Sequence, residues 1–150
     1  MELYQDCREK IGHHTNIETF CKNNGITIIR KRLEVGDYMF PNGKISVDIK
    51  QHLEELANDL YRDRLAFGKK YKKCLAQGIK LIVLVEQPIK SFQELAKWQS
   101  KHSRISGQYL INLMHEITIS YGVKFMFCDK SKTGEVLMQL LCPNFNAQRD

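Results

Sequence analysis

The sequence predicts an α/β fold in which one mixed β-sheet is covered by helices on both faces. Three observations carry that expectation. Strand-like and helix-like segments alternate along 150 residues, the layered pattern of one ordinary domain. The run IKLIVLVE (79–86) is almost continuously apolar, as a strand covered on both sides must be. Three strand-like segments follow one another after the first helix, with PNG between the last two.

The elements follow in chain order. LYQD (3–6) is a short first strand. TNIETFCKNNG (15–25) is a helix with Thr15 as N-cap, Glu18 completing a capping box and Gly25 as its stop. ITIIRKRL (26–33) is β-branched and strand-like. VGDYMF and KISVDIK flank the PNG turn as two strands. QHLEELANDL opens a helical stretch running to Gln77 and stopped by Gly78, and the apolar strand 79–86 follows. SFQELAKWQ (91–99) is a short helix capped by Ser91, with Glu94 at the capping-box position. SGQYLINLMHEITISYG (106–122) is an amphipathic helix closed by Gly122. VKFMFC (123–128) is the last strand, and SKTGEVLMQLL (131–141) is a final helix weakened at Gly134.

Composition narrows the class. Hydrophobic residues are 43% and charged residues 27%, which suits a globular chain able to bury its own core. The 23 basic and 17 acidic residues give a net charge of +6 and a pI of about 9.1. That leans toward a polyanionic partner without selecting one. The five cysteines include no C-x-x-C and none at zinc spacing from a histidine, so they read as reduced thiols filling the core. Met1 leads straight into polar ELYQDCREK, and no apolar run approaches a membrane span. A cytoplasmic protein with no membrane partner is the expectation. No P-loop, G-x-G-x-x-G or G-x-S-x-G is present, so nucleotide-driven and serine chemistry lack support.

The acidic hairpin holds the chemistry. NG between two strands is a strong hairpin signal. With Asn42 and Gly43 as its central residues, Asp37 falls opposite Asp48 and Val35 opposite Lys50. Asp48 and Lys50 are two apart and share a face. A four-residue loop preserves this register, whereas three or five residues break it. Pro41 lacks the N–H needed beside a tight turn, which favours the wider loop. Two carboxylates with Cβ atoms roughly 5 Å apart repel unless a metal ion, a proton or a partner side chain intervenes. Such a pair can hold a hard divalent cation, Mg²⁺ or Mn²⁺, through oxygen. That ion polarises a phosphoryl oxygen and activates water, and a nearby ammonium orients the water and balances charge. An exposed hairpin with solvated acids and a lysine accounts for the same residues.

Three ordered motifs surround this hairpin: DCRE (6–9), LEVGDY (33–38) and VDIKQHLE (47–54), followed by DRLAF (63–67). Together they resemble the PD-(D/E)xK nuclease core and, more narrowly, the XPF-type structure-specific endonuclease family. The resemblance runs from about residue 3 to 87. It implies a restriction-endonuclease-like core in a single nuclease domain spanning 1–150. It also implies a metal-dependent DNA endonuclease acting on branched or flapped DNA. Asp37 and Asp48 would hold the metal and Lys50 would position water, with Asp6 and Glu9 extending the catalytic acids. Arg8 and Arg64 would hold phosphate or the acids themselves. Pairing as a homodimer or heterodimer through this domain is implied as well, and the strands GIKLIVLVE and YGVKFMFC are similar to those of small phage and bacterial members. A catalytically inactive DNA-binding or scaffold module of the same fold is the alternative, and a toxin or defence nuclease of looser substrate choice a third reading.

The family's E-R-K is Asp48-Ile49-Lys50 here, its closing aspartate falls at Glu54, and its later glutamine falls at Gly68. Ile49 points away from Asp48 and is expected in the core. Lys69, Lys70, Lys72 and Lys73 in GKKYKKC could contact phosphates or form a solvated helix face. KWQSKHSR (97–104) could clamp or stack on DNA or be a surface loop. His13 and His14 read as loop residues rather than ligands, Tyr38 as a packing residue, and His115 has no assigned role.

Overall fold

The apolar run becomes a strand with a core on each side. In the computed structural model of the chain, which describes residues 1–62 and 64–147, this is β5 (Lys80–Val85). Leu81, Val83 and Val85 enter one apolar cluster, and Ile82 and Leu84 enter the other. Period-two alternation thus divides one run between two cores.

The sheet has six strands: β1 (Glu2–Asp6), β2 (Thr27–Lys31), β3 (Tyr38–Met39), β4 (Ile45–Lys50), β5 and β6 (Lys124–Phe127). Their spatial order is β2-β1-β3-β4-β5-β6. β1 and β2 are parallel, β3 is antiparallel to both β1 and β4, and β4, β5 and β6 run parallel. The sheet is therefore mixed, as expected. Each parallel neighbour is reached through a helical crossover.

One face carries α2 (Leu53–Arg62), α3 (Arg64–Ala76), α4 (Phe92–Ala96) and α5 (Gly107–Tyr121). The other carries α1 (Thr15–Asn23) and α6 (Thr133–Leu141). The stretch expected as one helix to Gln77 is thus α2 followed by α3; Asp63 between them lies outside the described residues, as does the end of the expected domain, 148–150. Among the described residues no helix is long and apolar enough to cross a membrane.

Local signals account for several helix ends. Ser91 and Ser106 cap α4 and α5 by accepting the N–H groups of Glu94 and Tyr109. Gly122 closes α5 in the left-handed region, φ 69°. Thr15 is not a cap: the N-cap of α1 is His14, and the Thr15 hydroxyl donates instead to Gly12 O at 2.7 Å. Gly134 does more than weaken α6. A Cβ there would lie 2.5 Å from Phe20, so the missing side chain lets α6 pack on α1.

The two edges of the sheet differ. β2 exposes Thr27, Arg30 and Lys31. β6 exposes Lys124 and Met126 and leaves Phe125 and Phe127 half-buried.

Candidate active site

Register brings the acids together. Gln5 pairs with Tyr38, and Tyr38 with Val47, the hairpin register expected from the turn. The turn itself is centred one residue earlier than expected. Gly43 N donates to Phe40 O at 2.9 Å, with Pro41 and Asn42 (φ 60°) between them. This places Pro41 where its fixed φ suits the turn and makes the loop wider, as its missing N–H requires. Asp6 and Asp37 adjoin across β1 and β3 through Asp6 N to Asp37 O at 2.8 Å. Asp48 and Lys50 alternate with Val47 and Ile49, which enter the α1–α6 core. The acids and the lysine consequently share the α2–α3 side with Val83 and Val85.

Gly36 explains the glycine in GDY. Its φ is 76°, and a Cβ there would lie 2.1 Å from Ser46 Oγ and 3.2 Å from Val47 O. Ser46 Oγ donates to Val35 O at 2.7 Å and ties the same bend to β4. The chain thus passes close over β4 immediately before Asp37.

Asp37 is 6% exposed. Its Oδ2 accepts the Ile49 N–H at 2.7 Å. Burial, then the neighbouring Asp48 charge and a hydrogen bond to Asp48, push its carboxyl well above the ordinary range. Each acid therefore disfavours charge on the other, which a cation between them would relieve. Lys50, 7% exposed, forms ion pairs with Asp48 Oδ2 at 3.1 Å and with Asp59 of α2. Burial alone would lower its pKa; Asp48 and Asp59 outweigh that and hold it above the ordinary lysine value. Its ammonium also lies 5.5 Å from the centre of the Phe67 ring.

These groups open on a cavity of about 270 Å³ lined by Asp6, Arg8, Glu9, Asp37, Asp48, Lys50, Phe67 and Lys70. The expected catalytic acids and Lys50 all border it, yet they are not equivalent. Asp6 is committed to the fold: Oδ1 accepts Leu33 N at 3.0 Å, and Oδ2 accepts Arg8 Nε at 2.9 Å. Arg8 also donates to Leu33 O at 2.6 Å. Glu9 bonds to His13 Nδ1 at 2.8 Å and to Asp37. Partial burial would raise its pKa, but His13, Asp37 and the charge of His14 together lower it.

The basic residues separate. Lys70, exposed like its neighbours, is the one of the four that lines the cavity, 5.2 Å from the Phe67 ring centre. Lys73 pairs with Glu34, while Lys69 and Lys72 are exposed. Arg64 pairs with Glu116 at 3.1 Å, both exposed, and borders a different cavity. Trp98 packs against the larger core, which argues against a free stacking platform. Glu54, expected at the closing acid position, points elsewhere: it accepts Ser100 Oγ at 2.7 Å and Lys101 N at 2.5 Å.

Three residues escaped the sequence reading. Asp59 carries no motif signal that separates it from the other acids of α2. Phe67 sat in a motif read only for its arginine. His14, expected in a loop, is 2% exposed, and its Nδ1 meets Tyr38 OH at 3.0 Å. Burial outweighs Glu9 and keeps the His14 pKa below its ordinary value.

Residues 5–140 match the family profile of the ERCC4 domain. Among solved structures, XPF from Aeropyrum pernix superposes with TM-score 0.70 at 22% identity, over 94% of this chain and 63% of that one. XPF from Aeropyrum pernix in complex with DNA gives TM-score 0.67 at 24% identity, over 93% and 62%. The chain thus spans less than two thirds of either. No curated protein matches it.

Proposed function

Since the chain belongs to the ERCC4 domain family, we propose that it is a divalent-metal-dependent DNA endonuclease, with Asp37, Asp48 and Lys50 at its centre. One observation carries the reading: the Asp37 and Asp48 carboxylates line one cavity open to the surface, beside a Lys50 ammonium held by two acids. Two neighbouring carboxylates that raise the cost of each other's charge are a fit donor set for Mg²⁺ or Mn²⁺. When bound, that ion would polarise the scissile phosphate and acidify the attacking water.

The chain's own residues do the rest. Asp37 would serve as a ligand, with the Ile49 N–H keeping its carboxylate in place. Lys50 holds the attacking water by hydrogen bonding and offsets charge at phosphorus as the bond to water forms. Asp59 keeps that ammonium from collapsing onto Asp48 alone. Glu9 takes part in the acid network through Asp37. Arg8 and Asp6 brace the cavity wall.

Lys70 is placed to meet phosphate at the cavity mouth, with Lys69, Lys72 and Lys73 continuing the basic face of α3. XPF from Aeropyrum pernix was solved in complex with DNA, and branched or flapped duplex is the substrate the motif resemblance suggests. An apolar groove of about 730 Å³ between α4, α5 and β6, with Phe92 and Ile119 exposed, supports pairing with a second copy or a partner of the same fold. A bacterial or phage protein of the cytoplasm fits this reading.

The test is cleavage of labelled forks, flaps, junctions and plain duplex, with Mg²⁺, Mn²⁺ or chelator. Metal-dependent cutting of branched DNA by the wild type and none by Asp48→Asn is expected. Tight DNA binding with no cutting in either metal would instead identify an inactive DNA-binding module.

A further inference from the structure

We propose that Glu9, His13 and His14 form a transition-metal site beside the Asp37–Asp48 pair, selective for Zn²⁺-like ions over Mg²⁺. The site does not depend on the nuclease reading. One ligand atom from each residue lies within 4.8 Å of the other two. His13 Nδ1 is 2.8 Å from Glu9 Oε2, and the two imidazoles stack with centroids 5.1 Å apart.

The segment is held in place before any ion arrives. Glu9 N donates to Asp6 O at 3.3 Å, and Arg30 donates to Glu9 O. Behind the site runs a chain of hydrogen bonds that is buried from Gln5 to His14. Arg30 donates to Gln5 Oε1 at 2.7 Å, and Gln5 Nε2 donates to Tyr38 OH at 2.7 Å. Tyr38 OH in turn meets His14 Nδ1 at 3.0 Å. Gln5, Tyr38 and His14 are 2%, 0% and 2% exposed. With Nδ1 engaged, Nε2 is the nitrogen left for a ligand, the arrangement that orients metal-bound histidines.

Charge points the same way. Glu9, Glu86 and Glu55 all act on His14. Glu86 is 6% exposed, accepts from Asn16 and Thr133 through Oε2, and has no hydrogen-bond partner at Oε1 among the described residues. Asp6 and Asp48 have Arg8 and Lys50; among the described ion pairs Glu9 has only His13, and Glu86 none. Glu9 thus has no lysine or arginine partner among the described ion pairs, and a metal ion held with the two imidazoles would supply a cation beside it.

Donor type selects the ion. Two imidazoles and a carboxylate suit Zn²⁺ with an open fourth position, whereas Mg²⁺ prefers oxygen. The all-oxygen Asp37–Asp48 pair has the opposite preference. Glu9 touches both, so filling this site alters the hydrogen bond that Glu9 makes with Asp37.

The experiment titrates Co²⁺ into the metal-free full chain in excess Mg²⁺, follows its visible absorption, and then adds Zn²⁺. We expect one equivalent of low-coordinate Co²⁺ that Zn²⁺ displaces and Mg²⁺ does not. His13 is exposed, so His13→Ala should fold and bind Co²⁺ about tenfold more weakly or worse, and Tyr38→Phe should lose about 10–100-fold through the outer shell. Asp48→Asn should keep the signal. Undiminished Co²⁺ affinity in His13→Ala, or loss of the signal in Asp48→Asn alone, would overturn the proposal. An inactive protein that passes this test would sink the nuclease reading and leave the metal site standing.

Discussion

The Asp59 carboxylate of α2 pairs with the Lys50 ammonium of β4, nine positions along the chain and across the seam between helix and sheet. It gives Lys50 a second acid besides Asp48. Replacing Asp59 with Asn leaves a nearly buried ammonium with one partner. We expect a loss of about 1–3 kcal/mol of stability and slower cleavage of bound DNA. The sign of the pH effect follows from the raised Lys50 pKa. A folded value above the ordinary 10.5 contributes stability that is whole below 10.5 and lost only as pH climbs through the higher folded value. The Asp59→Asn penalty should therefore stay level between about pH 6 and 9. Urea unfolding at several pH values measures it; a penalty that disappears at neutral pH contradicts the pairing.

Asp37→Asn tests the repulsion between the two acids. Asn mimics a protonated carboxyl and can still accept the Ile49 N–H. In chelator its stability should lie within about 1 kcal/mol of wild type, while metal-dependent cleavage disappears. Full activity in this variant would remove Asp37 from the metal.

The lysines of α3 should divide. Each one that neutralises a phosphate lowers the log–log salt slope of DNA binding by about 0.9 when replaced. Lys70→Ala should show that loss most clearly, because Lys70 borders the cavity. Lys73→Ala should show less, because Glu34 already occupies it. Lys50→Ala should slow single-turnover cleavage and barely change the slope. Wild-type slopes throughout the α3 set would make it a solvated face.

Gly36→Ala places a Cβ where φ is 76° and Ser46 Oγ lies 2.1 Å away. Left-handed backbone alone costs roughly 1–2 kcal/mol, and the contact adds to it. Thermal unfolding should show the loss, and pairing it with Ser46→Gly should recover part of it.

Much of this was legible in the sequence because it rests on period and turn chemistry. The alternation in VDIK put Asp48 and Lys50 on one face and Ile49 in the core, and the turn fixed the partner of Tyr38. Asp59 was not legible, since an acid on an amphipathic helix looks the same whether it faces water or a buried lysine. Glu54 has the right spacing for a motif position, yet Ser100 and Lys101 claim it; spacing does not say which loop will dock nearby. His14 lies in the turn before α1 as expected, but its burial was not legible because it depends on Tyr38, 24 residues away. The Thr15 cap failed because a capping box leaves open which of two adjacent residues starts the helix.

The unlike edges of the sheet bear on how the protein keeps from precipitating. Arg30 and Lys31 place charge along β2, and charge is how natural sheets deter an incoming strand. β6 has Lys124 at its start and then Phe125, Met126 and Phe127. When the chain is crowded or partly unfolded, β6 is where cross-β growth would begin. Solubility is thus guarded at one margin and left at the other to whatever covers it.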